Sequence, residues 1–84
     1  MNFETLKIAL ENNHTFPCEY VFKFVVPFDQ IQEVKDLAPR AQVSEQASRT
    51  GKYVSVTLVL TVESSEEVID VYRKATAVKN LISL

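Results

Sequence analysis

The alternation of apolar and polar residues is most regular from Tyr53 to Val62. Successive side chains of a β-strand point to opposite faces, so this period of two predicts a strand with one buried and one open face. The buried set is Val54, Val56, Leu58, Leu60 and Val62, and the open set is Tyr53, Ser55, Thr57, Val59 and Thr61. The only glycine, Gly51, lies in the preceding segment Arg49–Lys52 and predicts a hairpin turn in which glycine adopts a positive φ.

Three further segments have the composition of strands. Cys18–Val26 is rich in aromatic and β-branched residues and is apolar on both sides apart from Lys23, which predicts a central strand that ends at Pro27. Ala41–Ala47 is mostly polar and alternates weakly, as is typical of an edge strand. The apolar stretch Lys79–Leu84 predicts a short final strand.

Other segments follow the helical period instead. Phe28–Ala38 has apolar residues three to four positions apart and stops before Pro39, because the residue before a proline avoids helical dihedral angles. A further helix begins near Ser64, which together with Glu67 predicts a capping box, and a short leading helix lies within Met1–Asn13. The apolar stripes of the three helices are, in chain order, Phe3, Leu6 and Leu10; Ile31, Val34 and Leu37 or Ala38; and Val68, Val71, Tyr72 and Ala75.

The predicted order of elements after the leading helix is β-α-β-β-α-β. Right-handed crossovers place both later helices on one face of a four-stranded antiparallel sheet, so the predicted fold class is α+β with the ferredoxin-like arrangement. We expect the strands that contain Tyr20 and Tyr53 to form the central pair. Phe22 and Phe24 then face the helices, and the intervening residues of the same strand face away from them.

Several short motifs, spread over most of the chain from Phe16 onward, match one known family. They are Phe16-Pro17 ahead of a strand with Tyr20, Phe22 and Lys23; the segment Ser-x-x-Gly-x-Tyr-x-Ser-Val formed by Ser48, Gly51, Tyr53, Ser55 and Val56; the helix with Glu67, Val68 and Tyr72; and the closing strand Leu81–Leu84. With these motifs the chain resembles the YbeD-like family of small uncharacterised bacterial proteins.

The resemblance implies a ferredoxin-like fold similar to that of ACT regulatory domains, with no established catalytic residues. It also implies a regulatory role linked to lipoate metabolism. ACT domains commonly have a glycine between the first strand and the first helix, where backbone amides approach an amino-acid ligand. The corresponding turn here, Val26-Pro27-Phe28, has no glycine and departs from that pattern.

Composition and charge narrow the function further. The 84 residues predict one domain, with a leader over 1–15 and a core over 16–84. Nine basic and eleven acidic residues give a net charge of −2 without a basic cluster, so we expect no nucleic-acid partner. One cysteine supports neither a disulfide framework nor a structural zinc site. We find no signal-peptide pattern and no apolar run of bilayer length, so we expect a cytoplasmic protein without a membrane partner.

The residue types that carry chemistry are few and scattered. Cys18 is followed by the anionic Glu19, which favours a structural thiol over a reactive one, and His14 lies in a polar loop where we expect exposure to solvent. The turn around Ser48 and Thr50 has one glycine and leads into a strand, so it predicts a hairpin and not a phosphate-binding loop. We therefore predict no catalytic residue, no metal site, no cofactor and no enzymatic activity.

The strongest functional signal is the face of the sheet turned away from the helices. Its predicted interaction residues are Val21, Lys23, Tyr53, Ser55, Thr57 and Val59. An RNA-binding sheet would carry further aromatic residues beside Tyr53, where this chain has Ser55 and Thr57. The remaining alternatives are a solvated face and a surface that binds a protein partner or a second copy.

We therefore expect a small regulatory or protein-interaction module that binds through the open sheet face or an edge strand. The alternative is an ACT-like sensor of a small molecule, linked to lipoate metabolism.

Overall fold

Two long antiparallel strands form the centre of the structure. The computed structural model describes residues 2–84. Strand β1 (Cys18–Pro27) pairs with strand β3 (Tyr53–Val62) along its whole length, from Cys18 opposite Val62 to Pro27 opposite Tyr53. Apolar, β-branched and aromatic residues dominate both strands, and these residue types favour a pleated, half-buried surface. The central pair predicted from the sequence is confirmed.

Two shorter strands complete an open four-stranded antiparallel sheet with the order β2-β3-β1-β4. Strand β2 (Gln42–Ala47) pairs with β3, and all of its residues are exposed, as expected of a polar edge strand. Strand β4 (Ile82–Ser83) pairs only with Phe24 and Val25 of β1. Residues 2–84 therefore have an α+β fold, with three α-helices and one open antiparallel sheet.

The predicted final strand over Lys79–Leu84 was too long. Asn80 has a φ of +66°, a left-handed conformation that interrupts an extended chain and that asparagine adopts more readily than most residues. Only Ile82–Ser83 remains extended in the sheet, followed by a hydrogen bond of 2.9 Å from the Leu84 N–H to the Lys23 carbonyl oxygen.

The predicted helix over Phe28–Ala38 is also shorter than expected. It begins as a 3₁₀ turn (Phe28–Gln30) and continues as helix α2 (Ile31–Lys35). Beyond Lys35 the backbone tightens, because the Leu37 and Ala38 N–H groups donate to carbonyl oxygens three residues earlier. The apolar stripe is still buried: Val34, Leu37 and Ala38 are core residues, and Ile31 packs against the core.

The other two helices pack against each other. Helix α1 (Phe3–Asn13) begins at Asn2, whose side chain accepts hydrogen bonds from the Glu4 and Thr5 N–H groups. Helix α3 (Ser65–Ala75) contacts α1 through a hydrogen bond of 2.9 Å from Ser65 Oγ to Glu11 Oε2. An ion pair of 3.0 Å between Lys7 and Glu66 lies beside it.

The predicted capping box of α3 is not formed as expected. Ser64 occupies the N-cap position, but its side chain makes no capping hydrogen bond. The Glu67 carboxylate accepts a hydrogen bond of 2.8 Å from the N–H of Glu63, one residue before the cap. The extended backbone of Ser64, with φ −158° and ψ 164°, accompanies this shift in pairing.

The hydrophobic core lies between the helices and one face of the sheet. Phe22 and Phe24 of β1 have no exposed surface, and Val56 and Leu58 of β3 are equally buried. Alternation along each strand therefore has the predicted sense, with every second residue in the core. The core also includes Leu10 of the leading helix. Within residues 2–84, no helix has both the length and the apolar character needed to cross a membrane.

The hairpin between β2 and β3 depends on Gly51. Its φ is +77°, and the Gly51 N–H donates to the Ser48 carbonyl oxygen at 3.0 Å. The Ser48 N–H donates to the Tyr53 carbonyl oxygen at 2.8 Å, and Ser48 Oγ accepts from the Tyr53 N–H at 3.2 Å. The predicted positive φ of Gly51 is confirmed.

We expect the variant Gly51→Val to lower the free energy of unfolding by about 1 kcal/mol or more, because a β-branched residue is strained at positive φ. No atom lies within 4 Å of an added Cβ, so the loss would come from the backbone alone. Urea unfolding of Gly51→Asn provides the control, since asparagine tolerates this conformation. Equal stability of the two variants would contradict the explanation.

Candidate functional site

In the part of the chain that the structure describes, no helix covers the face of the sheet opposite the core. We call this surface the open face. It consists of the outward residues of all four strands, which are Glu19, Val21, Lys23 and Val25 of β1; Gln42, Ser44 and Gln46 of β2; Tyr53, Ser55, Thr57, Val59 and Thr61 of β3; and Ile82 of β4. All six interaction residues predicted from the sequence lie on it, and their role in binding stays a prediction.

The register of the strands arranges these side chains in rows across the sheet. Val21 lies opposite Val59, which in turn lies opposite Gln42 of the edge strand. Lys23 lies opposite Thr57, in the next outward-facing row along the strands. Cross-strand neighbours of this kind are close enough for side-chain contact, so each row is a continuous strip of surface.

Three apolar side chains are prominent on the open face. Val21 is 49% exposed, Tyr53 is 48% exposed and Ile82 is 57% exposed. The sequence pattern did not indicate Ile82, because its place opposite Val25 depends on where the short strand β4 joins the sheet. Val25 and Val59 are partly buried, Val25 opposite Ile82 and Val59 opposite Val21.

The open face carries little charge. Its strands contribute only Glu19 and Lys23, out of nine basic and eleven acidic residues in the chain. None of the three ion pairs found within residues 2–84 involves the open face. Arg40 lies at its rim, where it lines a shallow depression of about 170 Å³ together with Glu19 and Thr61.

Two other depressions combine apolar and polar side chains. One, of about 380 Å³, lies at the hairpin end of the open face, where Val25 and Tyr53 meet the polar side chains of Gln46, Ser48, Arg49 and Ser55. The other, of about 170 Å³, lies between α3 and the segment that follows α2. Its apolar floor contains Leu37, Ala38, Leu60 and Val71, and its charged rim contains Arg40, Glu67, Asp70 and Lys74.

The two residues singled out for chemistry, Cys18 and His14, lie side by side at the start of β1. Cys18 is partly buried and His14 is exposed, as the sequence predicted for each. Cys18 Sγ and His14 Nδ1 lie 4.0 Å apart, the outer limit of a sulfur hydrogen bond. Within residues 2–84, no three His, Cys, Asp or Glu side chains are grouped closely enough to hold a metal ion.

One partly buried polar contact lies beside the core aromatics. The hydroxyl oxygens of Tyr20 and Tyr72 are 3.1 Å apart, and the Tyr72 ring packs edge-on against Phe22 and Phe24. Burial raises the pKa of the Tyr72 hydroxyl well above its usual range, and the hydrogen bond to Tyr20 raises it further. These two rings tie α3 to β1, and Tyr72 also lines a mostly apolar depression of about 180 Å³ with Ala75, Val78 and Leu81.

Comparison with protein families identifies the family of this chain. A family model described as a protein of unknown function (DUF493) matches residues 11–83. The chain belongs to the DUF493 family. This is the YbeD-like family that the sequence motifs resemble. No match was found among curated proteins or among solved structures.

Membership of DUF493 leaves the activity to be argued from the structure, because the family description assigns none. The match covers every strand of the sheet and ends one residue before the end of the chain. All residues of the open face therefore lie inside the matched region.

We expect the burial of the Tyr72 hydroxyl, together with its hydrogen bond to Tyr20, to make the free energy of unfolding fall at alkaline pH. The folded-state pKa of Tyr72 is raised, so its stabilising contribution is complete below the ordinary tyrosine pKa of about 10 and is lost as pH rises above it. Urea unfolding from about pH 8 to about pH 11 should show a steeper loss in the wild type than in Tyr72→Phe. Tyr53→Phe controls for removal of a tyrosine, and identical profiles of the two variants would contradict the assignment.

Proposed function

We propose that this DUF493 domain is a non-enzymatic protein-interaction module that binds through the open face of its sheet. The observation that carries the proposal is the combination of exposed Val21, Tyr53 and Ile82 with only two charged residues among the outward positions of the four strands. The centre of a protein interface is depleted in charged residues and enriched in aromatic ones. The open face has the first property, and Tyr53 is the one aromatic residue among its outward strand positions.

The main alternative is a sheet face that is simply solvated. Antiparallel sheets often have one wet face, and the serine, threonine and glutamine residues here suit such a role. The distribution of charge argues against this alternative, because nearly all charged residues lie on the helices, the loops or the core side of β2. A sheet face that only contacts water has no need to exclude charged residues.

The proposal includes the ferredoxin-like topology. The strand order β2-β3-β1-β4 leaves one strand between the two that each crossover connects, as in a split β-α-β unit. The segment with α2 connects β1 to β2 around β3, and α3 connects β3 to β4 around β1. In this topology both crossover helices cover the same face, and the other face is available to a partner.

A photo-crosslinking side chain tests the surface directly. We expect p-benzoylphenylalanine in place of Thr57, at the middle of the open face, to form covalent protein adducts in cells, and the same group in place of Ile8 on α1 to form few. Val21 is 49% exposed and Ile8 is 57% exposed, so Val21→Asp and Ile8→Asp form a matched pair. Only Val21→Asp should remove the Thr57 adducts, since a buried carboxylate is costly at an interface.

Equal adduct yields at Thr57 and Ile8 would contradict the proposal. So would Thr57 adducts that persist unchanged in Val21→Asp, because the exposed valine would then contribute nothing to binding.

The charged cleft beside α3 favours a second candidate, an ACT-like sensor. Its rim has two cations and two carboxylates above an apolar floor, a combination that suits the ammonium and carboxylate groups of an amino acid. Its volume of about 170 Å³ is small beside the several hundred Å³ of most ligand sites. The open face is therefore the better supported site.

A thermal-shift screen separates the two functions. A ligand that binds the folded state raises Tm. If the domain binds protein and not a small molecule, amino acids and lipoate derivatives at millimolar concentration should leave Tm unchanged. A rise that the variant Lys74→Ala abolishes would favour the sensor and place its ligand in the cleft beside α3.

A further inference from the structure

The two strand charges of the open face are placed symmetrically. Glu19 and Lys23 lie two residues before and two residues after Val21 on the same side of β1. At about 3.3 Å per residue, each is roughly 7 Å from Val21 along the strand. If a second β1 runs in the opposite direction over the first, with the two Val21 residues together, Glu19 of each strand lies over Lys23 of the other.

The neighbouring strand repeats the symmetry. Val59 lies opposite Val21, and Thr57 and Thr61 flank it in the rows of Lys23 and Glu19. Gln42 of β2 extends the central row to the edge of the sheet. A two-fold rotation about this central row exchanges the positions of Thr57 and Thr61 on β3. The same rotation exchanges the positions of Glu19 and Lys23 on β1.

We infer that the partner of the open face is a second copy of this chain, packed face to face with its strands reversed about the row of Val21, Val59 and Gln42. The inference rests on the proposed use of the open face. In this arrangement the valines of the two copies meet at the centre, and Glu19 of each copy lies over Lys23 of the other. The interface is isologous, because each contact occurs twice around a two-fold axis.

Charge selects this orientation over the other symmetric ways of stacking the sheets. A two-fold axis along β1 would place Lys23 over Lys23 and Glu19 over Glu19, and juxtaposed like charges oppose association. An axis across the sheet at the row of Lys23 would again bring the two lysines together. Only the axis at the row of Val21 pairs both charges of each copy with opposite charges.

The size of the overlap sets the strength of the dimer. With the axis at Val21, the copies overlap along β1 from Cys18 to Phe24, and the Tyr53 end of each face extends past the strands of the other. Over these rows only β1 and β3 lie over their counterparts along the whole overlap, because β2 begins at the row of Val21 and β4 pairs with Phe24 and Val25 alone. Seven residues of strand and two strands about 4.8 Å apart give an area on the order of 250 Å² per copy. Stable complexes bury about 800 Å² per partner, so we expect a weak dimer that depends on protein concentration.

Charge reversal tests both the partner and the orientation. We expect analytical ultracentrifugation at low salt to show a monomer–dimer equilibrium for the wild type, with a dissociation constant in the micromolar range or above. Glu19→Lys and Lys23→Glu should each raise that constant roughly ten-fold or more, because each places two like-charged pairs in the interface. The double variant Glu19→Lys/Lys23→Glu should restore dimerisation and has the net charge of the wild type.

Each alternative gives a different result. Pairing through strand edges, or stacking about an axis along β1, leaves the single variants without a selective defect and gives the double variant nothing to rescue. Either result overturns the inference, as does a wild type that stays monomeric up to about 1 mM, a concentration at which even weak contacts are populated. Circular dichroism of each variant verifies that a lost dimer is not a lost fold.

The outcomes also separate this inference from the proposed function. Thr57 adducts with another protein, together with a monomer in the centrifuge, refute the second copy and retain the open face as a binding surface. A dimer that ignores the charge reversals, together with no Thr57 adducts, refutes both. Adducts of twice the monomer mass that follow the charge reversals support both.

Discussion

The antiparallel pairing of β1 with β3 determines the positions of all the other parts of this domain. Ten residues of each strand pair without a bulge, so the outward or inward direction of every side chain follows from one register. A slip by one residue would move Phe22 and Phe24 to solvent and Val21 to the core. The same register fixes the composition of the open face and the symmetric placement of Glu19 and Lys23 about Val21.

Features governed by local patterns were predictable from the sequence. The alternation from Tyr53 to Val62 gave the correct buried side, and the lone glycine gave the turn and its positive φ. The ends of α2 and β4 were not predictable, because 3₁₀ tightening before Pro39 and the left-handed Asn80 depend on how the chain rejoins the sheet. Ile82 was absent from the predicted site for the same reason, since its face is set by pairing with Val25.

The two sides of the molecule differ in their surface chemistry. The helical side has the ion pairs, the contact between α1 and α3, and the small charged cleft. The open face has exposed valine, tyrosine and isoleucine with two strand charges. Family membership identifies the chain without assigning an activity, so this separation of surface chemistry is the main guide to what the domain does.

Because β4 is short, the two halves of β1 differ in their backbone pairing. Within residues 2–84, β4 pairs with Phe24 and Val25 only, so the first half of β1 has a strand on one side alone. This half of β1 is therefore an edge strand in its hydrogen bonding, although β1 lies inside the sheet. Its unpaired backbone groups could pair with a strand of another molecule. Glu19 stands at this open stretch, and a charge there discourages such addition. The carboxylate thus limits growth of the sheet sideways while it remains available to a partner above the face.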